Sequence, residues 1–238
     1  MINKIIIHGG SSDITKNLLK HLENEYDEFH IFCRNARFLK NDINYNKKYF
    51  FYENDLNNFD KTKEDLEKLP NDLKSIFWAS GYTGNVNREF SDQSKCEFTM
   101  KINFYNVVLS INYLLENKID FSKKGFLTII SSVAGERGRA RNLYYGACKA
   151  ALTSYLSGIR QKFNNKLHVM TVVAGWMKTK NFKLNVPEFL VCSPEKSAKI
   201  IYDGIKNKKE IVYVDFKWRI IIFAIKLIPE KIFKKFKF

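Results

Sequence analysis

Apolar runs and amphipathic stretches alternate along the whole of this 238-residue chain. The runs IIIH (5–8), FHIFC (29–33), KYFFYE (48–53), SIFWAS (75–80), GFLTIISS (125–132), KLHVMTVVA (166–174) and EIVYVDF (210–216) are short and rich in Ile, Val and Phe. They show little in/out alternation, as expected of strands buried on both faces in a parallel sheet covered by helices. Between them lie segments with helical spacing of apolar residues, at 13–26, 61–69, 94–117, 144–164 and 194–207. Strand and helix take turns from end to end. The pattern therefore predicts an α/β fold: a doubly wound, seven-stranded parallel sheet flanked by helices. No internal repeat, low-complexity block or linker interrupts it, so one domain over 1–216 and a basic, apolar tail over 217–238 account for the chain.

Composition narrows the function classes. A hydrophobic content of 45% with only 4 Pro and 11 Gly excludes disordered and collagen-like chains. The net charge of +15 favours anionic partners: nucleic acid, a lipid surface or phosphorylated small molecules. No basic recognition helix or aromatic RNA platform accompanies that charge, so nucleic acid is not expected. Cys33, Cys96, Cys148 and Cys192 are scattered, and no two His stand at ligand spacing. Neither a metal site nor a disulfide framework is expected, and reduced cytoplasmic thiols are the default. No apolar stretch reaches the roughly 18 residues of a spanning helix, and the N-terminal run is too short for a signal sequence.

Three stretches carry candidate chemistry. The first strand runs into His8-Gly9-Gly10-Ser11-Ser12-Asp13-Ile14-Thr15 and then a helix. A small-residue turn at a helix start offers backbone N–H groups and a positive dipole end to a pyrophosphate; the alternative is that Ser11, Ser12 and Asp13 only cap the helix. The second strand ends at Cys33-Arg34-Asn35, where NAD sites carry an acid for the ribose diol. Arg34, with Arg37 after it, suits a 2′-phosphate instead and points to NADP, the alternative being an ordinary solvated Arg. The fifth strand ends in Ser131-Ser132, and the next helix carries Tyr145-x-x-x-Lys149. Four residues apart, the phenol and the ammonium share a helix face, where the cation is expected to lower the phenol's pKa for proton transfer to a carbonyl oxygen.

These residues, in this order, resemble the short-chain dehydrogenase/reductase family, a Rossmann-fold group, over about residues 1–216. The resemblance implies that Tyr145 is the general acid/base and that Lys149 binds the nicotinamide ribose and tunes Tyr145. It implies that Ser132 binds the substrate oxygen and that Asn103 anchors a water in a proton relay. Cofactor contacts are implied for Gly9, Ser11, Ser12, Asp13 and Ile14 around the pyrophosphate, and for Arg34 at the ribose. Asp55 and Leu56 would meet the adenine, and Ala79, Ser80 and Gly81 stand where the family has Asn-Ala-Gly. Gly175, Met177 and Thr179 match the segment that contacts the carboxamide. The chain departs from the family in losing the second and third glycines of the first turn, where Thr15 is bulky enough to push helix and strand apart, and in having Ala174 in place of Pro.

From 217 to 238 there are seven Lys/Arg and one Glu, a net +6. Trp and Phe beside basic residues suit an amphipathic segment on an anionic leaflet, with its rings at headgroup level; the alternatives are an oligomer contact or a flap over the active site. A tail of this kind also resembles that of the ketoreductase subunit of decaprenylphosphoryl-ribose epimerases. The expectation is thus an NADP(H)-dependent, secondarily NAD(H)-dependent, oxidoreductase of a ketone/secondary alcohol pair. Its substrate would be a lipid- or nucleotide-linked keto-sugar of envelope glycan synthesis. The competing readings are a 3-oxoacyl thioester reductase and a non-catalytic pyridine-nucleotide-binding module. By analogy with the family a homodimer or homotetramer is expected, in the cytoplasm or peripheral on the inner face of the membrane.

Overall fold

In the computed structural model, described over residues 2–36, 46–84, 90, 92–178, 182 and 186–236, seven strands form one parallel sheet. They are β1 (Lys4–His8), β2 (Glu28–Cys33), β3 (Lys48–Glu53), β4 (Ser75–Trp78), β5 (Phe126–Ser132), β6 (His168–Ala174) and β9 (Ile211–Val214), in spatial order β3-β2-β1-β4-β5-β6-β9. A two-residue pair, β7 (Trp176–Met177) and β8 (Val191–Cys192), lies outside it. The helices are α1 (Asp13–Leu22), α2 (Phe59–Glu67), α3 (Gln93–Met100), α4 (Asn106–Asn117), α5 (Leu143–Lys162) and α6 (Pro194–Lys206), followed in the tail by α7 (Phe216–Leu227) and α8 (Glu230–Phe233). The seven sheet strands fall on the seven runs that the sequence pattern picks out, with β1 and β2 starting one residue earlier and four of the others shortened by up to two residues at an end.

The unbroken apolar runs follow from double coverage. Ile5, Ile7 and Phe29 face the layer built on α1 and α6, while Ile6, Phe32 and Trp78 face the layer built on α4 and α5. Chain order reverses between β1 and β4, which opens a crevice at the carboxyl ends of those strands, the place where open α/β sheets bind ligands. Register aligns His8 with Phe32 and with Trp78, and Ser132 with Ala174, so these strand ends share one edge of the sheet. Helix α6 starts where the sequence signals it: Ser193 Oγ accepts from Lys196 N at 3.2 Å and Pro194 takes the first turn.

The long helix read over 94–117 is interrupted. Between α3 and α4, Lys101–Tyr105 widens into a π-helical turn centred on Asn103. One extra residue is absorbed without breaking the run of helical backbone, which is why apolar spacing did not reveal it. Among the described residues no helix is long and apolar enough to cross a membrane.

Candidate active site

The site is built at the carboxyl edge of β1, β4 and β5. Along α5, Lys149, Leu152, Leu156 and Ile159 are buried, so Tyr145 and Lys149 begin the stripe by which this helix packs on the sheet. Ser131 ties the helix to β5: its hydroxyl donates to Lys149 O at 3.1 Å and lies 2.7 Å from Thr153 Oγ1. The turn after β5 presses against the same helix. A Cβ on Gly135 would lie 2.6 Å from Ala150 N, and one on Gly146 would lie 2.9 Å from Ala134 O. Small residues at both places let Ser132 approach Tyr145. In the sequence these contacts show only as the adjacent Ser131-Ser132 pair and the glycines that follow it.

The Ser132 hydroxyl faces the Tyr145 phenol and accepts from Ala134 N at 3.1 Å. Burial pushes the Tyr145 phenol above its ordinary pKa, and the Ser132 hydroxyl pulls it partway back. Lys149 Nζ sits 5.7 Å from the centre of the Tyr145 ring and donates to Ile130 O at 3.0 Å. Burial lowers its pKa to about 8. The expectation that the ammonium depresses the phenol is therefore not met in this state: desolvation dominates both groups and moves each toward neutrality.

Gly81 closes the site from β4. A Cβ there would lie 3.2 Å from Asn103 Oδ1 and 3.4 Å from Lys149 Nζ, so three elements meet at this point. Asn103 is fully buried, and its amide is committed to backbone: Nδ2 donates to Tyr82 O (2.7 Å) and Thr99 O (2.9 Å), and Oδ1 accepts from Tyr82 N (3.0 Å). Its visible work is to hold the exit of β4 in place. The π turn puts it there.

At the first turn Gly9 has φ +89°, and a Cβ on it would fall 2.8 Å from Ser80 N. Gly9 N and Gly10 N both donate to Phe32 O, at 2.9 and 3.1 Å. Ser12 caps α1 without a side-chain hydrogen bond, so the helix's first N–H groups face the crevice uncapped by Ser12. Thr15 does not wedge the helix away. It is fully buried, and its hydroxyl donates to Gly9 O at 2.9 Å, pinning the turn. His8 stands beneath it, stacked on Trp78 at 4.1 Å and hydrogen-bonded to Ser80 Oγ. Burial drives its pKa down to about 3, only partly opposed by the nearby Asn54 side chain, so it stays neutral and acts as packing.

The remaining candidates flank this crevice. Arg34 is exposed just past β2, and Asp55 is exposed beside buried Leu56 past β3. Ile14 is buried in α1, Ser11 is exposed, and Ala79, Ser80 and Met177 are half-buried. Asp13 opens α1 as its one acidic residue in the first turn. Thr179 and Arg37 lie outside the described residues. A pyridine dinucleotide fits what is present: a positive-φ glycine at the sharp turn, a helix start whose Ser12 side chain makes no cap hydrogen bond, and a cation and hydroxyls at the reactive end. Among the described residues no cluster of three or more His, Cys, Asp or Glu could hold a metal ion.

The tail forms one wall. Trp218, expected among lipid headgroups, is instead buried: its indole lies against Gly175, where a Cβ would fall 1.9 Å from Nε1, and Nε1 donates to Leu190 O at 3.1 Å. With Ile222 it packs on Val133 and Val173. Farther along, Lys226 pairs with Glu136. Arg137 donates to Ile225 O, pairs with Glu230 at 3.0 Å and stacks 3.8 Å over Phe233. The tail is thus fastened to the two loops that flank Ser132 and Gly175.

Comparison with known proteins agrees with this arrangement. The family described as short chain dehydrogenase matches residues 3–188. An uncharacterized oxidoreductase of Mycobacterium tuberculosis is 26% identical over 113 residues, covering 47% of this chain and 45% of that protein. An uncharacterized oxidoreductase of Saccharomyces cerevisiae is 26% identical over 193 residues, covering 76% of this chain and 62% of that protein. The matches thus span about half to two thirds of the length of these relatives. Among solved structures, a short chain dehydrogenase from Burkholderia cenocepacia in complex with NADP is similar in fold, with a TM-score of 0.81 at 14% identity, covering 98% of this chain and 97% of that one.

Proposed function

The chain belongs to the short-chain dehydrogenase family, and from that premise we propose that it is an NADP(H)-dependent oxidoreductase interconverting a ketone and a secondary alcohol. One observation carries the reading: the Ser132 hydroxyl acts on the Tyr145 phenol, and buried Lys149 places Nζ 5.7 Å from the centre of that ring, at the edge where a parallel sheet presents ligands. Gly9, Ser11, Ser12, Asp13 and Ile14 would hold the pyrophosphate, and Arg34 the 2′-phosphate. The NADP in the Burkholderia structure supports that choice, with NAD(H) second. When bound, the nicotinamide supplies or accepts the hydride. Ser132 holds the substrate oxygen by hydrogen bonding. Tyr145 gives that oxygen its proton in the reducing direction and takes it back in the oxidising one. Lys149, charged below about pH 8, favours the phenolate left behind.

For substrate we propose a keto-sugar on a lipid or nucleotide carrier in envelope glycan synthesis. Support comes from the tail, whose basic and apolar residues stand beside the site, and from an outward face suited to an anionic leaflet. A homodimer or homotetramer is proposed by analogy with the family. The test is an NADPH oxidation assay offering keto-sugar and 3-oxoacyl thioester substrates. Tyr145→Phe should lose roughly 10²–10⁴-fold in turnover while still binding NADPH. Undiminished turnover in that variant would overturn the oxidoreductase mechanism, and turnover of acyl thioesters alone would overturn the sugar assignment. Arg34→Ala should weaken NADPH far more than NADH; equal losses would refute the 2′-phosphate contact.

A further inference from the structure

We propose that the cavity between α5 and the tail is a second binding site, for a phosphate group carried on an apolar chain. The cavity has a volume of about 410 Å³, within the range of small-ligand pockets. Its floor is a face of α5 made of Gly146, Ala147 and Ala150, and its roof is Phe233 and Phe236 of the tail. At about 100° per residue that floor points well away from the stripe of Tyr145 and Lys149. Neither Tyr145 nor Ser132 lines it. The site goes beyond the proposed reaction and does not depend on which carbonyl is reduced.

Two arginines of one loop show what the cavity lacks. Arg137 is held by Ile225 O, Glu230 and the Phe233 ring. Arg139, two residues on, lines the cavity, is half-buried, and pairs with no carboxylate or hydrogen-bond acceptor among the described residues. Lys234 lines the same space. Among the described lining residues the one carboxylate, Glu230, is already taken by Arg137. A partly desolvated guanidinium without a partner is unfavourable, and its planar fork matches a phosphate in two-point contact. The mouth is apolar: Leu143 is 41% and Phe236 49% exposed. A half-buried Arg139 inside, an exposed Lys234 beside it and an apolar rim of Leu143 and Phe236 describe a receptor for an anionic amphiphile rather than for a bare anion.

Calorimetry with dodecyl phosphate tests this. The wild-type chain should bind it at least about tenfold more tightly than either inorganic phosphate or dodecyl maltoside. Arg139→Gln should cost about tenfold or more for dodecyl phosphate. Phe236→Ala, at the exposed rim where folding is not at stake, should weaken dodecyl phosphate and leave inorganic phosphate unchanged. Wild-type affinity in Phe236→Ala, wild-type affinity in a folded Arg139→Gln, or equal binding of dodecyl maltoside overturns the proposal. Sedimentation with phosphatidylglycerol vesicles then separates the sources. Loss in Arg139→Gln identifies a bilayer headgroup as the occupant. Sedimentation retained while dodecyl phosphate binding is lost identifies a phosphate brought by a single carried ligand.

Discussion

At the scale of single residues, burial sets the chemistry. Lys149 is almost completely buried and spends one proton on Ile130 O, and its pKa falls from 10.5 to about 8. The folded value is the lower one, so between pH 8 and 10.5 the unfolded chain holds more protons than the folded chain. Folding stability should therefore rise with pH across that window, by up to about 3 kcal/mol. Denaturant titrations of wild type and Lys149→Met check this: the difference should move in favour of wild type from pH 8 to 10.5 and be flat below 7. A parallel pH course in the two proteins would mean that the ammonium is solvated. Gly9 makes a different demand. With φ +89° and Ser80 N at 2.8 Å from any Cβ, Gly9→Ala carries both left-handed strain and a backbone collision. A loss of about 1–2 kcal/mol or more is expected in thermal unfolding, with NADPH affinity falling further because the turn moves.

At the scale of elements, the π turn between α3 and α4 is the device that brings Asn103 to the β4 exit. Asn103→Ala would leave Tyr82 N, Tyr82 O and Thr99 O without their present partner. A buried group left unpaired costs about 1–3 kcal/mol, and since the Tyr82 bonds are only part-buried and Thr99 O keeps Cys148 Sγ at 4.0 Å, a drop in unfolding midpoint toward the low end of that range is expected. Turnover should fall as well, because Gly81 would lose its support beside Lys149. An unchanged midpoint would show that water replaces the amide at no cost. This element also marks how far the sequence could be read. Strands and helices announced themselves because two-sided burial writes unbroken Ile, Val and Phe runs, and because a four-residue spacing puts Tyr145 and Lys149 on one helix face. The π turn left no such mark, since an inserted residue in a polar-and-apolar stretch keeps helical spacing on either side. Trp218 misled for a related reason. Its indole looks the same in sequence whether it meets lipid or a glycine, and only the fold places Gly175 opposite it. The pKa of Tyr145 was likewise beyond reach, because burial depends on packing that spacing alone does not reveal.

At the scale of the whole molecule, the tail has two apolar faces with different fates. Trp218 and Ile222 turn inward. Phe216, Ile220, Phe223 and Leu227 recur at helical spacing on the opposite side of α7 and are 57–68% exposed. Lys217, 3.9 Å from Asp215, flanks that outer stripe on one side, and Arg219 and the Glu136-paired Lys226 flank it on the other, so Arg219 is the cation with no carboxylate partner among the described residues. An exposed apolar stripe edged by cations is the pattern of a helix lying in an anionic interface, with each basic residue near the surface worth about 1 kcal/mol. Removing the whole tail is a poor probe, because it would also uncover Val133, Val173 and Gly175 beside the site. Substituting the outer stripe alone separates the two faces. Ile220→Ser, Phe223→Ser and Leu227→Ser together should abolish sedimentation with phosphatidylglycerol vesicles while leaving the thermal midpoint within about 1 kcal/mol equivalent, since surface changes of this kind rarely cost more. Wild-type sedimentation should also weaken as salt rises, because part of the attraction is screened over a Debye length of about 8 Å at physiological ionic strength. Sedimentation unaffected by the triple substitution would move the stripe from a lipid surface to a protein interface, where the same variant should instead shift the oligomeric state seen in sedimentation velocity.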